Sequence, residues 1–231
     1  MINTVDILSS VVGSLSYITS CEYINYNTTT DESMVSIIID DECLGIFIGQ
    51  RLTINDFQES FVKKIINENT IVINGRHLGI SNVVIHSPNF YHGTILDVNN
   101  ELVDMPWQFK FPMIYLHERY TETYYTENNI FSHSGKYKIH VLTQGDFNEW
   151  LINDYKTNAI DPMNLLANKF VNQLRKTKGI KIGDSHSRTN KTRFATYIDS
   201  KGETQQEMQD TMTGVELNIE LSFHNNIICN C

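Results

Sequence analysis

The 231-residue chain is short of proline, cysteine, basic residues and long apolar runs, and each scarcity excludes something. Without about 18 consecutive apolar residues, no segment reads as a membrane-spanning helix. Cys21, Cys43, Cys229 and Cys231 are too few and too scattered for a disulfide framework, which suits a reducing compartment. Cys229-Asn230-Cys231 has no second Cys or His pair at zinc-ligand spacing, so it reads as an incidental pair and no metal is expected. With 18 Lys and Arg against 27 Asp and Glu, the formal charge is −9. Most of such a surface repels phosphates, which argues against a general nucleic-acid or anionic-membrane binder but leaves room for a local basic patch.

The apolar stretch 7–18 followed by Ile18-Thr19-Ser20-Cys21 loosely resembles a lipoprotein cleavage site. A signal peptide needs a positive leading region, however, and the first Lys or Arg here is Arg51, after an early Asp6. The expectation is therefore a chain made and folded in the cytoplasm.

Catalytic signatures are also missing. The histidines show neither HExxH nor His-x-His spacing, no GxSxG elbow occurs, and Gly179 and Gly183 lack the GKS/T ending of a phosphate loop. Asp184-Ser185-His186-Ser187 gathers the side-chain types of a hydrolase triad within four residues, but triads are assembled in space from distant segments. No catalytic residue, cofactor or enzyme activity is expected. A hydrolase using Asp184 and His186 is the reading that an activity screen would address.

What is present is secondary-structure signal. Val5, Leu8, Val11, Val12, Leu15 and Ile18 fall at helical spacing and predict an amphipathic helix over 4–19. Residues 25–33 read as a loop, and 34–39 and 44–48 as a hairpin turned at Asp40-Asp41-Glu42. Thr53 and Asp56 look like a helix-start box, with Ile54, Phe57, Phe61, Val62, Ile65 and Ile66 predicting a second helix over 54–67. Strands are expected at 70–73 and 80–85, separated by the turn dipeptide Asn74-Gly75, with a short one at 94–98.

Segments 109–115 and 138–142 read as strands flanking a tyrosine-rich stretch, 120–129. Phe147, Trp150 and Leu151 suggest a short helix. The best-marked helix covers 162–177, with Asp161 as N-cap, Pro162 first, Leu166, Phe170 and Leu174 as its stripe, and Gly179 to stop it. Residues 180–197 read as a polar, basic loop of weak strand character. From Gly214 to Phe223 apolar and polar residues alternate, which is the pattern of a half-buried strand. The fold class expected is α+β: a mixed or antiparallel sheet packed by three main helices, in a single domain over 1–231 with an extended hairpin or arm at about 109–142.

Two clusters are candidate interfaces. Arg175, Lys176, Lys178, Lys181, Arg188, Lys191 and Arg193 place seven of the 18 cations beside one acid, Asp184. A solvated loop explains such a run, and so does a surface that meets the acidic face of a neighbouring copy or the phosphates of DNA; the neighbouring copy is favoured because the chain itself supplies the negative partner. Tyr120, Tyr124 and Tyr125 belong to an aromatic-rich stretch that suits core strands or an exposed interface arm.

Three blocks, Phe111-Pro112-Met113-Ile114-Tyr115-Leu116, Asp161-Pro162-Met163-Asn164-Leu165-Leu166-Ala167 and Met212-Thr213-Gly214-Val215-Glu216-Leu217-Asn218-Ile219-Glu220-Leu221, resemble a family of phage and prophage proteins of Bacteroidetes. Its members are similar to tail-completion, tail-terminator or neck proteins, and the Asn-, Ile- and Tyr-rich bias suits a crAss-like phage. The resemblance implies a structural virion protein, localised in the virion after synthesis in the host cytoplasm. It also implies a homo-oligomeric ring, six- or twelve-fold, joining portal, neck or tail proteins around a DNA channel touched non-specifically. A carbohydrate- or receptor-binding module, served by tyrosines and asparagines between 87 and 130, is the competing expectation.

Overall fold

A computed structural model describes residues 3–37, 49–55, 58–67, 70–77, 79, 82–106, 109–127, 130–146 and 148–224. The fold is α+β, built from a small barrel and a larger open sheet with helices on its faces.

The chain opens with helix α1, Thr4–Gly13, capped by the Asn3 side chain accepting from the Val5 N–H. It ends six residues short of the expected helix over 4–19, because Gly13, Ser14 and Ser16 lack helical preference and Tyr17 already belongs to a strand. Six strands then form a closed barrel: β1 Tyr17–Asn27, β2 Glu32–Ile37, β3 Arg51–Ile54, β4 Gln58–Asn67, β5 Thr70–Asn74 and β6 Asn82–Ile85. Their order is β1-β2-β5-β4-β3-β6, and every pairing is antiparallel. Val35, Leu52, Ile54, Val62, Ile71, Ile73, Val83 and Ile85 fill the interior with Cys21. Inward positions recur every second residue, as a pleated strand demands.

The helix expected over 54–67 is two strands. Ile54 closes β3, Asn55 turns the chain with φ 48, and β4 follows. Register shifts at Val62/Lys64 and Ile65/Asn67 insert extra residues into β4, so its core-directed positions, Val62 and Ile65, stand three apart. A bulged strand thereby imitates a helical period. Thr53, read as a helix cap, bonds His86 instead at 2.7 Å. The loop expected at 25–33 is mostly the β1–β2 hairpin, with Asp31 at φ 51 in its turn. Of the hairpin expected at 34–48, the first arm is β2, which pairs with β1 and β5; residues 38–48 lie outside the described residues. Strands β5 and β6 exist as expected but do not pair with each other.

The open sheet contains β7 Asn89–Gly93, β8 Met113–His117, β9 Thr121–Glu127, β10 Ile130–Gln144, β11 Ile180–Phe194 and β14 Met212–His224. The small hairpin of β12 Thr196–Ile198 and β13 Thr204–Gln206 stands apart from it. The sheet order is β11-β14-β10-β8-β7, with β9 beside the other end of β10. Strands β10 and β14 pair from Ser132–His224 to Gln144–Met212. This contact has no room for a side chain at Gly214: a Cβ there would collide with the Val141 carbonyl oxygen. The parallel pair β7–β8 is bridged by α2, Ile95–Val103, as a parallel crossover requires. The strand expected at 94–98 is thus the start of α2, where Thr94 and Asp97 form a reciprocal capping box.

Helix α4, Asp161–Lys176, continues from α3, Ile152–Tyr155, through a π-helical turn, Lys156–Ile160. Asp161 is therefore not an N-cap, since Ile160 before it is already helical; the widened turn accommodates Pro162, which has no N–H to give. Ile7, Leu8, Val11 and Val12 of α1 and Met163, Leu166, Phe170 and Leu174 of α4 pack on one face of the sheet. There they meet Ile139 and Val141 of β10 and Val215, Leu217, Ile219 and Leu221 of β14. The opposite face is covered at one end by α2 and by Phe194, Met208 and Met212.

Candidate functional site at the rims of the open sheet

Alternation along β9, β10 and β14 divides their polar side chains between the two faces. On the helix-covered face, the Glu122 carboxylate accepts three hydroxyl hydrogen bonds. Thr4 (2.5 Å) and Tyr137 (2.8 Å) donate to Oε1, and Tyr124 (2.5 Å) donates to Oε2. Thr4 has one proton, so in its 2.9 Å contact with His133 Nε2 the imidazole is the donor. That leaves Nδ1 bare, in agreement with its burial without a partner, and burial holds the His133 pKa below its ordinary value. The ring stacks on Phe223 at 4.8 Å. Burial pushes the Glu122 carboxyl up, but its hydrogen bonds to Thr4, Tyr124 and Tyr137 outweigh that and hold it below the ordinary range. Thr4 is only 2% exposed, so this acid, hydroxyl and imidazole set offers no nucleophile to a substrate. It fastens the start of α1 to β9 and β10.

On the other face, Tyr115, His140, Glu216 and Thr189 make one row across β8, β10, β14 and β11. His140 stacks on Tyr115 at 5.4 Å and lies 4.8 Å from Phe194. Burial drives its pKa down to about 3. Burial raises the Glu216 carboxyl, yet the Asn218 amide at 3.0 Å and the Lys191 ammonium at 3.1 Å leave it lowered overall. This row also binds elements together and presents no free reactive group.

The basic candidates sit on and beside one rim. Residues 180–197, expected as a loop, are largely the long strand β11, which pairs only with β14 among the described residues. Loops and exposed edge strands share a polar composition, and the register shifts at Ile182/His186 and Lys191/Phe194 obscure any alternation. Arg175 and Lys176 end α4, Lys178 follows it, and Lys181, Arg188, Lys191 and Arg193 are on β11. Lys181 and Arg193 are exposed; Arg188 reaches back to the Asn164 carbonyl at 3.5 Å. Burial and the nearby Arg175 lower the Arg188 pKa. Asp184 and His186 occupy this same strand, and no hydrogen bond joins them among the described residues.

Tyr124 and Tyr125 are on β9 and Tyr120 just before it, at the opposite rim, two strands away across β14 and β10. The structure thus does not gather the ten candidates into one site. Tyr120 packs on Tyr137 with ring centroids 5.0 Å apart, while Tyr124 is 53% exposed.

A cavity of about 450 Å³ opens beside Trp150, lined also by Gln144, Asp146, Asn148, Asn158 and Thr211. Among the described residues no group of three or more His, Cys, Asp or Glu side chains is placed to hold a metal, and no helix is long and apolar enough to cross a membrane. Cys21, the residue of the lipoprotein-like pattern, is inside the barrel, where burial raises its thiol to about 11.

Sequence reasoning missed Thr4, Glu122, His133, His140 and Glu216. Thr4 is 118 residues from Glu122 and 129 from His133, so no local spacing announces their meeting. No family model, curated protein or solved structure matches the chain.

Proposed function

We propose that this chain is a structural virion protein that assembles with copies of itself into a ring at a phage neck or tail junction, connecting the protein layers above and below. One observation carries the assembly part of this reading: β11, fifteen residues long, lies on the rim of the sheet with its outer edge unpaired among the described residues. An exposed row of backbone donors and acceptors is a template for another chain. The polar networks elsewhere are enclosed within the fold and hold elements in place, as a load-carrying subunit requires. The phage part rests on the three sequence blocks. Ile114 and Leu116, Met163, Leu166 and Ala167, and Val215, Leu217, Ile219 and Leu221, one set from each block, share a single core cluster, so the blocks describe one packing unit.

Sedimentation velocity over a wide concentration range, together with peptide quantification in purified particles, tests the reading. A reversible larger species and a fixed particle copy number are expected. A chain that stays monomeric and is absent from particles would refute it.

The Trp150 cavity favours a second reading, a saccharide-binding module, because an indole platform ringed by amides and a carboxylate suits vicinal hydroxyls. Glycan-array binding that is lost in Trp150→Ala would support it over assembly.

A further inference from the structure

We infer that neighbouring copies join by pairing β9 of one with β11 of the next, so that the open sheet continues from subunit to subunit. This deepens the assembly reading and rests on it. Among the described residues each of the six barrel strands already has two neighbours. The strand edges open among the described residues are those of the open sheet's rims, β11 on one side and β9 and β7 on the other, and of the β12–β13 hairpin, whose strands are only three residues long.

Strand direction supports the match. In the section β11-β14-β10-β9 each pairing is antiparallel, so β9 runs opposite to β11. A copy repeated in the same orientation, as rotation about an axis along the strands produces, brings its β11 antiparallel to the first copy's β9. Antiparallel pairs need no further adjustment of direction. Such a head-to-tail contact uses two different surfaces and closes into a ring when the rotation permits.

Charge decides between this and a two-fold contact. Strand β11 carries Lys181, Arg188, Lys191 and Arg193 against the single acid Asp184, so two β11 strands side by side place cations against cations. Strand β9, Thr-Glu-Thr-Tyr-Tyr-Thr-Glu, has no cation, and its Glu122 is held on the helix-covered face by Thr4, Tyr124 and Tyr137, so β11 beside it meets no like charge. Strand β7, Asn-Phe-Tyr-His-Gly, is shorter, and α1 and α2 both pack beside it. Like charges opposite one another across strands destabilise the pair and opposite charges favour it. The Tyr124 ring, fixed through its hydroxyl to Glu122, gives the β9 rim an exposed aromatic surface held in one orientation.

Cysteine pairing in the full chain tests the inference. In a background with Cys43, Cys229 and Cys231 changed to serine, exposed positions of the two rims become single cysteines: Thr123→Cys on β9, and Ser187→Cys or Thr189→Cys on β11. A disulfide requires Cβ atoms about 4 Å apart, so oxidation reports close strand contact. The expected result is covalent dimer when the β9 variant is mixed with one of the β11 variants, none from any variant alone, and a ladder of higher species from the double variant. Self-linking of Thr189→Cys would establish a two-fold β11 contact and overturn the proposal. Oligomers seen by native mass spectrometry without any β9–β11 link would also overturn it while leaving ring assembly standing. The complete absence of oligomers would remove both.

Discussion

The barrel has a core mostly of Val and Ile and the open sheet one with Leu, Met, Phe and Tyr as well, and they differ further in what they leave at their borders. Among the described residues every barrel strand has two neighbours, so no strand of it stands at a rim. The open sheet keeps β11, β9 and β7 as rims. Closure makes one region a finished body, and openness makes the other a place where a second chain can add. The helices sharpen the contrast: α1 and α4 cover one face of the sheet, and its polar networks fasten the covering elements, while the rims are left clear.

The largest effect is expected at the seam of the open sheet. Gly214→Ala drives a methyl into the Val141 carbonyl and parts β10 from β14, so we expect loss of more than about 4 kcal/mol or failure to fold, read from soluble yield and denaturant melts. A change of less than about 1 kcal/mol would mean the two central strands are not in such contact. Phe170→Ala, which empties the centre of the helix layer, is expected to cost about 3–5 kcal/mol in the same melts.

Acid is the next lever, and its sign is fixed by burial. His140 is neutral in the folded chain down to about 3, whereas in the unfolded chain it binds a proton below its ordinary 6.5. The unfolded state gains protons first, so stability falls as pH drops below 6.5, by about 1.4 kcal/mol per unit from this residue. Glu122 and Glu216, both held below 4.5 in the fold, add to the loss at lower pH, where unfolding lets them protonate more readily. In His140→Phe the decline should be shallower, the remainder coming from His133 and the other histidines that the fold holds below 6.5; an unchanged profile would assign the acid sensitivity elsewhere. Thr4→Val, which removes the hydroxyl between Glu122 and His133, should destabilise by about 1–3 kcal/mol, measured by thermal or denaturant unfolding. The smallest energetic effect but the sharpest on the contrast is amide exchange. On assembly, protection should rise in β9 and β11 and stay constant through β1–β6; a rise in the barrel instead would move the interface there.

The open sheet was more legible in sequence than the barrel. The clean alternation of β14 survives because one face meets helices and the other carries Glu216, Asn218, Glu220 and Ser222. The stripe of α4 was plain for the same reason, although its true start, ten residues earlier in α3, was hidden by Pro162 and the π-helical turn. In β4, bulges reset the inward positions and produced a false helix, and in β11 the register shifts and the row of charges looked like a loop. The candidate interface residues were found as two clusters, but only strand order shows that they stand on opposite rims. The Glu122 network was invisible because three segments far apart in sequence build it.

Native mass spectrometry of the untagged protein at rising concentration tests the central claim most directly. Discrete closed oligomers of one stoichiometry are the expected result. A strict monomer at every concentration, matched by its absence from purified virions, would contradict the account.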